Sequence, residues 1–267
     1  MPDEALLDDL VRAVQAGARY RLIQPALVRR IGAQELAKGR SLKEAVKETR
    51  NKLHQVGGAY QEKTPDYARL GVEMESLPPG SREINEYCRR AMMAHASTQE
   101  RIPYLEAYYG ALREHLGEVS SIMDLACGLN ALALPWMPLA HGGAYWACDI
   151  YADMIDFTNR FLAHEGIYGG AELCDLTAGV PQRAVQLALL LKTLPCLEQI
   201  DKSIGARLLD AIPAEYLLVT FPALSLGGRG KGMVQNYSAH FEELIAGRGW
   251  RVESWQIRTE ICFLVIK

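Results

Sequence analysis

One stretch of this 267-residue chain, from Ser121 to Asp149, most restricts what the chain can fold into. It reads Ser121-Ile-Met-Asp-Leu-Ala-Cys-Gly-Leu-Asn130, crosses an apolar segment and resumes as Gly143-Ala-Tyr-Trp-Ala-Cys-Asp149. The pattern is strand, tight glycine turn, helix, then a strand ending in an acid, which opens a nucleotide-binding α/β unit. Residues 122–126 supply a short buried strand, and Gly128 lets the backbone turn close beside a ligand. Asp149 lies 21 residues beyond Gly128, an offset at which an acid accepts hydrogen bonds from ribose hydroxyls. The turn is not a dinucleotide fingerprint, because it holds a single glycine. No Gly-Lys-Ser/Thr follows, so it is not a phosphate loop either.

The rest of the chain fits around that unit. Strands are expected at 121–126, 144–148, 169–173, 187–191, 216–221, 252–257 and 260–266, with helices at 130–139, 151–164, 195–210 and 236–247. Alternation of this kind predicts an α/β fold with a mostly parallel, seven-stranded sheet and an antiparallel terminal pair turning at Arg258 and Thr259. Before the sheet the periodicity is helical. Leu6, Leu7, Leu10, Val11 and Val14 form one stripe, Pro25 opens a second helix, and Ser41 with Glu44 makes a capping box for a third. Leu77-Pro-Pro-Gly80 marks a break. The expected division is a helical docking region at 1–78 and a cofactor domain at 79–267.

Composition narrows the function classes. No leading apolar run marks a secretory signal, and no segment has the 18 or so apolar residues of a membrane span. The six cysteines form no Cys-x-x-Cys pair, so the expectation is a reducing, cytoplasmic setting with no zinc site or disulfide scaffold. Formal net charge is -3, yet the charge is unevenly spread. Residues 19–52 hold ten basic side chains (Arg19, Arg21, Arg29, Arg30, Lys38, Arg40, Lys43, Lys47, Arg50 and Lys52) against three acids. That excess fits a phosphate-facing patch for RNA, and it equally fits a solvated helical face.

In an open α/β sheet, ligands bind beyond the carboxyl ends of the strands. The residues predicted there include Ala126, Gly128, Asp149, Ile150, Asp175 and Lys192. Asp175 is placed to accept from an adenine amino group, although a helix cap would also explain it. After the fifth strand comes Phe221-Pro-Ala-Leu-Ser-Leu-Gly-Gly-Arg-Gly-Lys-Gly232, a glycine-rich loop expected to present Ser225, Arg229 and Lys231 to substrate. His95, Ser97, Thr98, Glu100 and Arg101 form a polar cluster before the sheet. An arginine there can fork onto a carboxylate such as that of an amino-acid cofactor. The histidines are scattered, so no metal is expected. No Gly-x-Ser-x-Gly elbow suggests a hydrolase.

Asp124 on the first strand, one glycine and a later ribose acid resemble the S-adenosylmethionine site of a class I methyltransferase. Longer motifs sharpen this. His95-Ala-Ser-Thr-Gln-Glu-Arg-Ile-Pro103, Asp124-Leu-Ala-Cys-Gly-Leu-Asn130, Asp149-Ile-Tyr, Leu189-Leu-Leu-Lys-Thr-Leu-Pro-Cys-Leu-Glu198 and the Phe221-Pro loop are similar to the aminoglycoside-resistance methyltransferases. Those enzymes modify guanine N7 in the decoding site of 16S ribosomal RNA. The resemblance covers essentially the whole chain. It implies a class I fold with a helical extension that docks on the 30S subunit, acting as a monomer on the guanine numbered G1405. It implies S-adenosylmethionine as cofactor and S-adenosylhomocysteine as product. Arg101 would hold the cofactor carboxylate, Gly128 the methionine moiety and Asp149 the ribose. Asp175 and Leu176 would border adenine, and His95, Asp124, Ala126 and Ile150 would complete the pocket. Lys192, Ser225 and Arg229 would position the guanine, with Lys231 gripping RNA. Two positions depart from the family pattern: Ala131 replaces a proline, and Ala223 replaces a basic residue. The competing readings are a methyltransferase for another RNA or a small molecule, and a non-catalytic RNA-binding homologue.

Overall fold

The computed structural model describes residues 3–57, 65–223 and 232–267. Three helices lead the chain: α1 (Glu4–Gln15), α2 (Pro25–Leu36) and α3 (Leu42–Val56). Asp3 caps α1 by accepting from the Ala5 amide. Pro25 opens α2, where its missing N–H costs nothing. Both halves of the Ser41–Glu44 capping box are present at α3. The apolar stripes then meet, with Leu7, Leu10 and Val14 buried with Leu27, Val28 and Ile31. Next come α4 (Tyr67–Glu75), α5 (Arg82–Met92), the short α6 (Ala96–Gln99) and α7 (Leu105–Leu116).

The sheet contains β1 (Val119–Leu125), β2 (Leu139–Asp149), β3 (Tyr168–Leu173), β4 (Val185–Leu191), β5 (Ala214–Pro222), β6 (Arg251–Ile257) and β7 (Glu260–Ile266). Their order is β3-β2-β1-β4-β5-β7-β6. Only the pairings made by β7 are antiparallel, so the predicted seven-stranded class I sheet is found. Strand order reverses between β1 and β4, which opens a crevice at their carboxyl ends. The helices α8 (Ala152–His164), α9 (Leu194–Leu197), α10 (Ile204–Ala211) and α11 (Met233–Ile245) complete the layers.

Two expected helices differ. Residues Asn130–Trp136 form a 3-10 segment with Pro135 inside it rather than an α-helix through 139; proline removes the donor that a longer α-helix needs. The helix expected at 195–210 is split into α9 and α10. There the Asp201 carboxylate accepts from the Ser203 amide at 2.9 Å and its hydroxyl at 2.7 Å, a side-chain turn that competes with helical bonding.

The turn at Leu77–Gly80 lies between α4 and α5, yet apolar packing runs across it. One buried cluster joins Leu10, Ile31 and Leu53 of the leading helices to Tyr87, Leu112, Ile122 and Phe157. The Tyr87 hydroxyl donates to the Leu70 carbonyl at 2.8 Å, tying α5 to α4. The helical extension and the sheet thus share one core.

β3 tests the sheet's register. Gly169 has φ 143°, and a Cβ there would fall 1.7 Å from the Tyr145 carbonyl oxygen. At Gly170 the nearest atom would be 3.5 Å away. Gly169→Ala should therefore lower stability by at least about 2 kcal/mol, and Gly170→Ala by under about 1 kcal/mol. Denaturant melts of both variants check the difference; equal losses would show that the close β2–β3 approach is not limiting.

Candidate functional site

The crevice at the strand switch is a cleft lined by residues that follow β1, β2, β3 and β4, together with residues of the leading helices. Its rim begins with the turn after β1. Ala126 and Gly128 both take left-handed backbone, at φ 57° and 53°. A Cβ on Gly128 would lie 2.9 Å from the His95 ring, so only glycine lets that ring close over the turn. The Asp149 carboxylate fastens the turn to β2. It accepts from the Gly128 amide at 2.9 Å and the Ile150 amide at 2.6 Å. Burial raises its pKa, and these amide bonds hold the rise back. Asp149, Ile150, Ala126, His95, Asp175, Leu176 and Lys192 all line the cleft, as expected.

Gly128, Asp124 and Arg101 do not line it; the His95 ring covers Gly128. Asp124 sits beneath the turn, accepting from the Asn130 amide at 2.7 Å and the Tyr145 hydroxyl at 2.7 Å. Burial pushes its carboxyl up to about 6. It braces the turn and is not a direct contact. Arg101 is 1% exposed, and its fork already holds a carboxylate, that of Glu260 on β7. Nε and Nη2 donate to the two Glu260 oxygens at 3.0 Å each, and Nη1 donates to Asn130 Oδ1 at 3.1 Å. Glu260 also accepts from the Thr220 hydroxyl at 3.0 Å. Its own burial raises its pKa, but Arg101 and Lys192 outweigh that and hold it below the usual range.

Lys192 ends β4 in left-handed backbone at φ 56°. Its ammonium donates to Glu100 at 2.6 Å and lies 3.9 Å from Glu260. The cluster His95–Arg101 and the end of β4 therefore meet through a β7 carboxylate that the sequence reading missed, and Arg101 forks onto it instead of the cofactor carboxylate expected. His95 stands beside both cations. Burial first, and then the charges of Lys192 and Arg101, push its pKa down to about 4. Its ring is neutral near pH 7.

The far wall comes from the leading helices. Leu27 of α2, with Val56 and Gly57 at the end of α3, face the cleft. Residues 22–24 strap the loop after β2, with Gln24 N donating to Ile150 O at 2.8 Å and Ala152 N to Leu22 O at 2.9 Å. Asp175 accepts from the Thr177 amide at 3.0 Å and its hydroxyl at 2.8 Å. The other Asp175 oxygen is ion-paired with Arg30 of α2.

Much of the basic patch is spent internally. Lys38, Arg40 and Lys52 converge on Glu35, which is 1% exposed. Arg29 pairs with Glu4 and Asp8. Arg50 donates to the Ala13 and Val14 carbonyls at the end of α1, and Arg19 contacts His54 at 3.3 Å. Arg21, Lys43 and Lys47 form no ion pair with any described residue. Ser225, Arg229 and Lys231 lie outside the described residues. Ala223 is described and is 2% exposed. A basic side chain there would have to leave the core to reach substrate. Ala131 is buried at the start of the 3-10 segment, a position where proline would also fit. Among the described residues no cluster is placed to hold a metal, and no helix is long and apolar enough to cross a membrane.

His95 makes the cleft acid-sensitive. Its folded pKa is below the unfolded value of about 6.5, so the unfolded chain binds the extra proton and stability falls as pH drops from 6.5 to 4. That contribution reaches about 3 kcal/mol. His95→Gln should remove it, while the raised pKa of Asp124 keeps its opposite slope. Stability curves between pH 4 and 7 check this; parallel curves for both proteins would refute the assignment.

The family model described as "Ribosomal RNA methyltransferase (FmrO)" matches residues 16–265. A protein of Micromonospora rosea named 16S rRNA (guanine(1405)-N(7))-methyltransferase is 37% identical, covering 98% of this chain and 97% of its own. A Micromonospora echinospora protein of the same name is also 37% identical, with 99% and 98% covered. The crystal structure of the 16S rRNA methyltransferase RmtF with S-adenosyl-L-homocysteine superposes with a TM-score of 0.85 at 30% identity, covering 100% of both chains. This chain belongs to the FmrO family of ribosomal RNA methyltransferases.

Proposed function

We infer that this chain transfers a methyl group from S-adenosylmethionine to N7 of guanine 1405 in 16S ribosomal RNA, acting on the 30S subunit as a cytoplasmic monomer. The observation that carries the reading is the cleft itself. Gly128, Asp149, Asp175 and Lys192 meet at the strand switch, in a chain matched over 98% of its length by a relative named for that reaction.

The residues fit the cofactor. The Gly128 turn lets the His95 ring pack against the backbone at the edge of the pocket, and Asp149 offers carboxylate oxygens to ribose hydroxyls. Asp175 and Leu176 give adenine an acceptor and an apolar face. When bound, S-adenosylmethionine supplies a methyl group activated by its sulfonium. Guanine N7 carries an exposed lone pair on the major-groove edge, so no base needs to deprotonate it. A neutral His95 and an ion-paired Lys192 suit that demand, because they shape and polarise the site without taking a proton. Catalysis then rests on alignment and on electrostatic placement. The target base must leave its stack, which costs a few kcal/mol, about the scale that docking contacts can offset.

The leading helices have two roles in this reading. Arg21, Lys43 and Lys47 offer unpaired charge to ribosomal RNA, whereas Arg30 serves the adenine end through Asp175. Methylation would add positive charge to the guanine and remove its N7 acceptor, opposing polycationic aminoglycosides bound nearby. Resistance in expressing cells is the biological outcome we propose.

The deciding experiment incubates intact small subunits with methyl-labelled S-adenosylmethionine and maps the labelled nucleotide. Label at N7 of guanine 1405 is expected; label elsewhere, or on small molecules alone, refutes the assignment. A second measurement separates the helical roles. Reversing the charge of Arg21, Lys43 and Lys47 together should weaken subunit binding about tenfold or more, with S-adenosylhomocysteine affinity unchanged. Arg30→Ala should weaken the cofactor product about three- to tenfold, the scale of roughly one charge-assisted bond. If both variants lose both affinities equally, the division fails.

A further inference from the structure

Three described residues other than glycine hold left-handed backbone: Ala126, Lys192 and Arg258. The first two end β1 and β4 and line the cleft. Arg258 opens the two-residue turn between β6 and β7, flanked by the Ile257–Glu260 pair. That turn lies at the same edge of the sheet. β7 runs antiparallel to β5 with Pro222 opposite Glu260, so β7 begins where β5 ends. Two contacts fix the turn. The Ala223 amide donates to the Thr259 carbonyl at 2.7 Å, and the Tyr104 and Thr259 hydroxyls stand 2.7 Å apart. Two residues after Arg258, about 7 Å of strand, Glu260 grips Arg101 and approaches the Lys192 ammonium. Arg258 therefore borders the end of the cleft where Lys192 sits.

The side chain itself is exposed, and its guanidinium forms no ion pair with any described residue. It contributes nothing evident to the turn. At φ 51° glycine or asparagine would be conformationally easier, because neither carries the same steric penalty in left-handed backbone. A turn shaped for stability alone favours those residues. An arginine kept in strained backbone beside a ligand cleft points to a task for its charge. Its position also complements the helical patch. Arg30 reaches Asp175 beyond β3, at one end of the sheet order. Arg258 stands beyond β7, about four strand spacings or ~19 Å from the end of β2. The cleft lies between them.

We propose that Arg258 contacts a phosphate of the substrate RNA, holding the strand on the β5–β7 side of the cleft, opposite the basic helices. A target nucleotide drawn into the cleft would then be gripped through its backbone on both sides. This assignment rests on the ribosomal RNA substrate proposed above. It also bears on Ala223, whose backbone is bonded to the same turn: the cation absent at position 223 has a neighbour in Arg258.

The backbone strain makes the test decisive. Arg258→Gly removes the charge and relieves the left-handed residue together; Arg258→Lys keeps a charge there. Affinity of the full chain for 30S subunits is measured across a salt series with S-adenosylhomocysteine present, alongside cofactor-product affinity and melting temperature. Arg258→Gly should melt at the wild-type temperature or above and bind S-adenosylhomocysteine normally. It should lose roughly three- to tenfold in subunit affinity, with a log–log salt slope shallower by about one. Arg258→Lys should keep the wild-type slope. A glycine variant with unchanged subunit affinity and slope overturns the proposal. So does one that loses melting temperature and cofactor binding together, since that marks a structural residue. A wild-type chain that binds subunits without methylating them refutes the reaction but leaves the Arg258 comparison readable. A chain that binds no subunit refutes both.

Discussion

The site depends on the buried pair between Arg101 and Glu260. It joins residues 159 apart in sequence, the segment before the sheet and the first residue of its last antiparallel strand. Burying two charges is expensive, and removing one partner from such a pair costs about 3–5 kcal/mol. Here the cost is offset by several hydrogen bonds to both partners. Glu260 accepts from Arg101 twice and from Thr220, while Arg101 also reaches Asn130, whose amide reaches Asp124. One connected network therefore runs from β7 through the polar cluster to the turn after β1. Lys192 and His95 take their positions at its edge. A neutral hydrophobic replacement would pack the same space but would leave the cleft without its field.

The network also explains how a methyltransferase site can be full of shifted ionisable groups without performing acid–base chemistry. Asp124 is raised because its burial outweighs its two hydrogen bonds. His95 is depressed because it is buried beside two cations. These shifts follow from enclosure and fixed charge, and guanine N7 needs neither a donor nor an acceptor of protons to react. Perturbed groups mark the site; they do not identify proton carriers.

The βα alternation, the capping box and the tight turn at Gly128 were legible in the sequence because each depends on neighbours within a few residues. Asp149 was legible for the same reason, through its fixed distance from the glycine turn. Glu260 was not. It sits between Thr259 and Ile261 in a run that reads only as a strand, and nothing local announces a partner in Arg101. The basic segment misled in a related way. Counting charges from Arg19 to Lys52 found the excess but not the buried Glu35 that gathers three of them. Asp124 looked like a contact because it sits on the motif strand. Strand alternation decides whether such a side chain faces the cleft or the core, and here it faces Tyr145.

Arg30 carries the consequence furthest. Read from sequence, it belongs with its neighbours in a docking surface; in the fold, it pairs with Asp175 at the rim of the cleft. The leading helices supply Leu27, Val56 and Gly57 to the cleft wall and bond to the loop after Asp149. A domain that only docked could move on a hinge at Leu77–Gly80 without touching the cofactor. This one cannot, because the cleft would lose a wall and Asp175 its cation. Any shift of α2 therefore moves a wall of the cleft and the cation of Asp175 together, which ties the placement of the leading helices to the shape of the site.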